Sequence, residues 1–510
     1  HDDFGGHAKR NEFHYGGHMR LGVGGSLNLE NPSAYSLVAK GLLDDLGIDI
    51  DAMLGDAENV ELLSPAADSV MALRGPNGHL NVRAKWISML LGAGEIEGPV
   101  RELPFPRAEQ DRLIELLKGD RDYLDDLSLS EKSAYLETVS YLEFLTDKVG
   151  LSREASALFY PFPLLIYGPA APRLSVLEAF YLGCPGFQGM GWLGQLASQL
   201  FEGMMAGYQS AYFADGNASV ARLLVQKLIP AVAPGARGFA DIATQRFDYE
   251  VLDLPAHDVR LRLNSTVVNV HETDEQRVQI DYVCKGEPVR VTGDHCVLAC
   301  YNSIIPHLCP QLPEEQKDAL GYGTKVPLIM TNVLLENGRA FAGLGVSQVT
   351  CPHDPYSVVT VAPPASVGGY QPPQDPDEPL VVFMLGVPQV EPQAGESGRD
   401  INLRARRKIY QTSFAMYEQD IREQLQSLLG QYGFEHARDI KAITVNRWPH
   451  GYAYEYMQLD DPTWEPGQAP HEVGRKQFGR ISIANSDSEA YAYLDAAIDA
   501  GWRAAMEQSR

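Results

Sequence analysis

The sequence predicts a mixed α/β protein with more than one core, on three observations. Its 510 residues, 45% hydrophobic and 21% charged, are enough for two or three cores. Helical periodicity and strand alternation replace one another along the chain instead of segregating into one block each. Residues 295–300 form an apolar run of the buried-strand type, following an alternating ladder over 259–292.

The elements follow in order. Residues 1–26, rich in glycine and histidine, read as loop. Residues 32–46 read as a helix capped by Asn31 or Ser33. Residues 50–100 mix short strands and turns, with 75–78 as a hairpin tip. A helical pattern runs from about 107 to 151, with Leu113, Leu116 and Leu117 and later Tyr135, Val139, Leu142 and Leu145 at helical spacings, and Ser130 as a cap. Residues 160–195, dense in proline, glycine and aromatics, read as an ordered loop, and 218–229 as an amphipathic helix. Strands are expected at 259–263, 266–272, 277–284, 287–292 and 295–300, and several more between 326 and 390. Residues 402–429 read as one long helix ending at Gly430, and 489–507 as a helix rich in small residues.

Composition excludes several classes. The formal charge of −25 argues against nucleic acid and attracts cations. No apolar run reaches the roughly 20 residues of a membrane helix, so no stable membrane insertion is expected. The six cysteines form no C-x-x-C pair or haem attachment motif and read as free thiols. His14 and His18 are four apart, but Gly16 and Gly17 between them argue against a helical metal pair, and no metal site is expected.

Four separated segments carry a resemblance. Gly5-Gly6-His7 resembles a Gly-Gly-Arg turn, with His7 in the arginine place, and Gly24-Gly25-Ser26 a second glycine segment. Asp215-Gly216-Asn217, the helix after it and the segment around Val268 form another stretch, with a later apolar strand in which Tyr301 replaces a usual proline. The C-terminal segment has Ser486 and Asp487 after a strand, then a small-residue helix containing Ala496. Gly321 to Val326 presents Lys325 at the head of a strand, and Trp448-Pro-His450-Gly-Tyr452 an aromatic run. The set resembles FAD-dependent amine oxidases, with bacterial spermidine dehydrogenases the most similar branch.

The resemblance implies an FAD/NAD(P)-binding, amine-oxidase-like α/β domain built from 1–75, 213–301 and 470–510. An α+β substrate domain over 76–212 and 302–469, with a helical insertion, would complete it. It implies FAD held by Gly5, Gly6, His7, Gly25, Ser26, Val268 (Val267 by one register), Ser486, Asp487 and Ala496. Lys325, Trp448, Tyr452 and Tyr454 would line the reacting centre, and Glu178, Tyr181 and Trp192 would meet the substrate. The reaction implied is hydride transfer from a polyamine of the spermidine kind, then imine hydrolysis, with electrons passed to a further acceptor in the periplasm. A b-type haem on His14 or His18 is a secondary expectation. The sequence as given starts after the family's first FAD-binding strand and Gly-rich phosphate loop, without Met or export signal. Three alternatives stay open: another flavoprotein of carotenoid-desaturase-like layout, a flavin-free binding protein, or a haem-dependent redox protein.

Overall fold

The computed structural model describes residues 2–509 except 58–67, 76–77, 91–93, 193, 196–198, 200–202, 204–205 and 363–364. Its largest sheet has seven strands in the order Ile440–Tyr452, Val326–Leu335, Leu380–Gly386, Tyr356–Val361, Gln348–Thr350, Ser69–Gly75, Gly78–Ala84. Neighbours are antiparallel, except for the parallel pair Gln348–Thr350 and Ser69–Gly75. Val326–Leu335 and Leu380–Gly386 are buried at every position, so both faces of this sheet are covered and the strands read as continuous apolar runs.

One face packs under Phe414–Leu429, which brings Ile421, Leu425 and Leu428 onto Val333, Val349 and Val382. The other receives a hairpin of Arg10–Tyr15 and His18–Val23. Its turn residues, Gly16 and Gly17, both have positive φ (59° and 83°), as a tight two-residue hairpin turn demands. A buried amide fixes the docking. Asn332 Nδ2 donates to Asn11 Oδ1 and to the Val23 carbonyl, each at 2.8 Å. Asn446 Nδ2 reaches the same Asn11 oxygen, also at 2.8 Å.

A second unit is built on two parallel strands, Cys296–Leu298 and Ile481–Ile483, with the helix Leu494–Gln508 laid on them through Ala484, Ala500 and Ala504. A three-stranded antiparallel ladder, Ser265–Glu272, Val278–Cys284 and Glu287–Gly293, leads into it. The short helices between 97 and 181 share a separate core that includes Leu113, Leu117, Tyr141 and Phe144. All six cysteines are free. No helix among the described residues is long and apolar enough to cross a membrane.

Several local expectations are corrected. Residues 1–26 hold the Arg10–Val23 hairpin, because the glycines that suggested loop are its turn. The helix after Asn31 is two pieces, the 3₁₀ turn Pro32–Ala34 and the α-helix Leu37–Asp45. Its cap is Ser36, whose side chain accepts from Ala39 N. The cap at 128–131 is Ser128 and not Ser130, since Ser128 and Glu131 close a reciprocal capping box. Residues 160–195 contain helical turns, among them Pro161–Tyr167 and Val176–Tyr181. Residues 259–263 form no strand, because Arg260 and Arg262 both turn to Asp253. The helix expected at 402–429 is two, Gly398–Gln411 and Phe414–Leu429, broken where Thr412 goes extended and Ser413 caps the second. The last helix starts at Leu494. Pro76 and Asn77 of the expected hairpin tip lie outside the described residues, though Gly75 and Gly78 on either side pair.

Asn332 is fully buried, and removing its amide takes the side-chain donor from the Val23 carbonyl and one of three donors from Asn11 Oδ1. Asn332→Ala should lower unfolding stability by roughly 1–3 kcal/mol, measured as a shift of the urea midpoint at unchanged slope; an unchanged midpoint would show that the hairpin docks without it.

Candidate active site

The carboxyl ends of the parallel pair meet the end of the large sheet. Tyr301 follows Cys296–Leu298 and Asp487 follows Ile481–Ile483, so parallel register delivers both to one edge. This edge is where open α/β sheets hold ligands. From the sheet side, Lys325 immediately precedes Val326–Leu335, while Trp448, His450 and Tyr452 end Ile440–Tyr452. The register pairs Val326 with Tyr452 and Leu328 with Trp448, across a bulge. His7 arrives on the loop before the hairpin.

The side chains interlock. The buried Lys325 ammonium is paired with Asp487, whose other oxygen accepts from Asn302 N at 3.1 Å. Lys325 Nζ lies 5.3 Å from the centre of the Tyr301 ring, a cation held over an aromatic face. Tyr301 stacks on His450 at 4.9 Å, and its hydroxyl meets His7 Nε2 at 3.0 Å. The His7 ring meets Trp448 edge-on at 4.7 Å. Trp448 Nε1 donates to the Gly24 carbonyl at 2.7 Å. The His7 carbonyl accepts from Lys9 N and Ser26 N at 2.9 and 2.7 Å. A Cβ on Gly25 would collide with that carbonyl, so only glycine fits there.

Burial sets the charge state. His7 is pushed down to about 3 by burial and then by Lys325. His450 falls to about 4 through burial, Arg406 and Lys325. Both are neutral at pH 7, so the lysine is the cation of the cluster core and Asp487 its counter-charge. Nearby, burial pushes the Glu455 carboxyl up to about 7. Glu30 is raised as well, chiefly by burial, and both carboxylates act on the Tyr452 hydroxyl.

Of the residues expected from sequence, His7, Gly25, Ser26, Lys325, Trp448 and Asp487 come together. Tyr452 ends the same strand. Ser486 opens the turn Ser486–Glu489 that carries Asp487, and Ala496 is buried in the first turn of the last helix. Gly5 and Gly6 lie just upstream with positive φ, and Gly6 has open space where a side chain would stand. Val268, half exposed, sits at a bulge in Ser265–Glu272, with Val267 beside it. Tyr454 donates to Asp461 Oδ2 at 2.6 Å and lines a cavity together with Asn302 and Asp487. Glu178 caps its own helix through Ser175 N (2.7 Å) and accepts from Gln458 N (3.0 Å). Tyr181 and Trp192 are 54% and 62% exposed. His14 and His18 lie on adjacent hairpin strands, at Glu12 and near Glu378. Sequence reasoning did not single out Arg406, Asn302, His450 or Glu455; His450 and Glu455 sit inside or beside the aromatic run that did draw notice.

The fold has known counterparts. A putrescine oxidase (a double mutant redesigned in its cofactor binding) superposes with a TM-score of 0.54 at 14% identity, over 100% of this chain and 92% of the other. The wild-type putrescine oxidase bound to putrescine gives 0.52 at 14%, over 100% and 92%. Cyclohexylamine oxidase from Brevibacterium oxydans IH-35A gives 0.50 at 12%, over 95% and 87%. The chain has the FAD-binding amine oxidase fold. No protein-family model and no curated protein matches it by sequence.

The residues present meet the demands of a dinucleotide of the FAD kind. The helix Leu494–Gln508 starts without a side-chain cap from Tyr493, and the Asp495 carboxylate in its first turn approaches the amides of Asp495 and Ala496. Asp495 Oδ1 and His450 Nδ1 are buried with no hydrogen-bond partner, and buried polar atoms are ordinarily satisfied. The Gly5-Gly6 backbone is exposed. Because Lys325 and Asp487 touch, a ring reaching Lys325 must take the carboxylate's place.

The two lowered histidines make a pH prediction. An imidazole with a folded pKa below its unfolded value of about 6.5 binds its proton preferentially in the unfolded chain. The stability linked to His7 and His450 is therefore intact above about pH 6.5 and withdrawn as the pH falls toward about 4 and then about 3. The melting temperature should fall more steeply from pH 7 to pH 4 in the native chain than in the His7→Gln/His450→Gln double variant. Parallel curves would show that these rings titrate normally.

Proposed function

We propose that the chain is a flavin-dependent amine oxidoreductase that oxidises a C–N bond of a polyamine of the spermidine kind, with hydrolysis of the resulting imine by water. The observation that carries this reading is the buried cluster of Lys325, Asp487, Tyr301, His7, Trp448 and His450 at the carboxyl edge of the parallel strands.

FAD, when bound, supplies the hydride acceptor. Gly5, Gly6 and the first turn of Leu494–Gln508 would hold its phosphates, and Asp487 and Lys325 its remaining length. Lys325 brings one fixed positive charge into a low-dielectric site, where it stabilises negative charge developing nearby. His7 and His450, kept neutral, add no competing cation. Tyr301, Trp448 and the aromatic end of Ile440–Tyr452 form a dry wall that favours the neutral amine at the reacting carbon. Glu30 and Glu455, beside Tyr452, offer carboxylates to a second, distal ammonium, and the charge of −25 draws polycations to the surface.

The protein reconstituted with FAD and mixed anaerobically with spermidine should lose the flavin's visible absorbance, and Lys325→Met should slow that loss by about 10²-fold. Retention of the colour with spermidine while simple monoamines bleach it would remove the polyamine assignment; retention with every amine would remove amine oxidation itself.

A further inference from the structure

A second constellation lies at the edge of the large sheet opposite Ile440–Tyr452. His79, on the edge strand Gly78–Ala84, is almost wholly buried. Its Nε2 lies 2.7 Å from Asp354 Oδ2 and its Nδ1 2.6 Å from Ser427 Oγ. A carboxylate only accepts, so Nε2 carries the proton and Nδ1 presents its lone pair to the Ser427 hydroxyl. Asp354 is buried, and its other oxygen is held by Arg74, which fixes the carboxylate against the imidazole.

The serine is unusual for its place. It sits in the last turn of Phe414–Leu429. Hydroxyls in comparable positions bond backward to the carbonyl four residues earlier, as Ser156, Thr138 and Thr412 do here. Ser427 instead points its hydroxyl at His79. Both line a cleft of about 540 Å³, together with Gly78, Glu423, Gln431 and His436. A Cβ built on Gly78 would stand 3.6 Å from Ser427 Oγ, so the glycine lies directly beside the hydroxyl.

We propose that Ser427, His79 and Asp354 form a second catalytic site that hydrolyses a small polar carboxylic ester. A nucleophile within hydrogen-bond reach of a base, itself oriented by a third group, is the arrangement acyl transfer requires. Ser427 Oγ attacks the ester carbonyl as its proton passes to His79 Nδ1. The bond to the alcohol oxygen breaks, and His79 returns the proton to that leaving oxygen, leaving an acyl ester on Ser427. Water, deprotonated by the same imidazole, then cleaves this ester to the carboxylic acid and restores the serine. Asp354 stabilises the imidazolium formed in each half.

The full chain treated with diisopropyl fluorophosphate should gain one phosphoryl adduct, mapped by peptide mass spectrometry to Ser427, and should turn over p-nitrophenyl acetate. S427A, which removes one oxygen and leaves the His79–Asp354 contact in place, should lose both at an unchanged melting temperature. H79Q should slow adduct formation by 10²-fold or more. No adduct, an adduct on another residue, or ester turnover that survives in S427A overturns the proposal.

Discussion

A buried ion pair joins two units of this molecule. Lys325 heads a strand of the large sheet, Asp487 follows a strand of the parallel pair, and their contact joins the two where neither side chain reaches much water. Burying both charges is costly unless each finds a partner, and removing one partner alone typically costs about 3–5 kcal/mol. The position of each strand end is thereby tied to the other. Tyr301 under the ammonium, His450 under Tyr301, and His7 between Tyr301 and Trp448 follow from that constraint as successive layers.

The same contact shapes the chemistry. A lysine beside a carboxylate is a neutralised pair; a lysine whose carboxylate is drawn away toward a bound group becomes an electrophilic centre. The neutral state of His7 and His450 matters here, because a second positive charge would compete for whatever anion approaches.

Much of this was legible in the sequence, unevenly. Lys325, Trp448, His7 and Asp487 stood out because short motifs fix local backbone, and local backbone placed them. The large sheet was read only as several strands between 326 and 390, without bounds, because strands buried at every position carry no alternation. What failed was whatever depended on partners distant in the chain. Residues 259–263 alternate like a strand, yet their arginines are claimed by Asp253 and no strand forms beside them. Glu178 looked like a carboxylate free for substrate, but it caps its own helix and accepts from Gln458 N. Glu455 gave no signal, since its character comes from burial beside tyrosines that fold in from elsewhere. The triad of His79, Asp354 and Ser427 likewise spans 348 residues, beyond the reach of any local motif.

In the proposed function, Lys325 places the positive charge beside a bound flavin ring. The reduction potential of the reconstituted flavin, measured in the native chain and in Lys325→Met, tests it directly. Loss of the ammonium should make the potential more negative, because the anionic reduced form loses its counter-charge. An unchanged potential, or a chain that takes up no flavin at all, would rule out this role for Lys325.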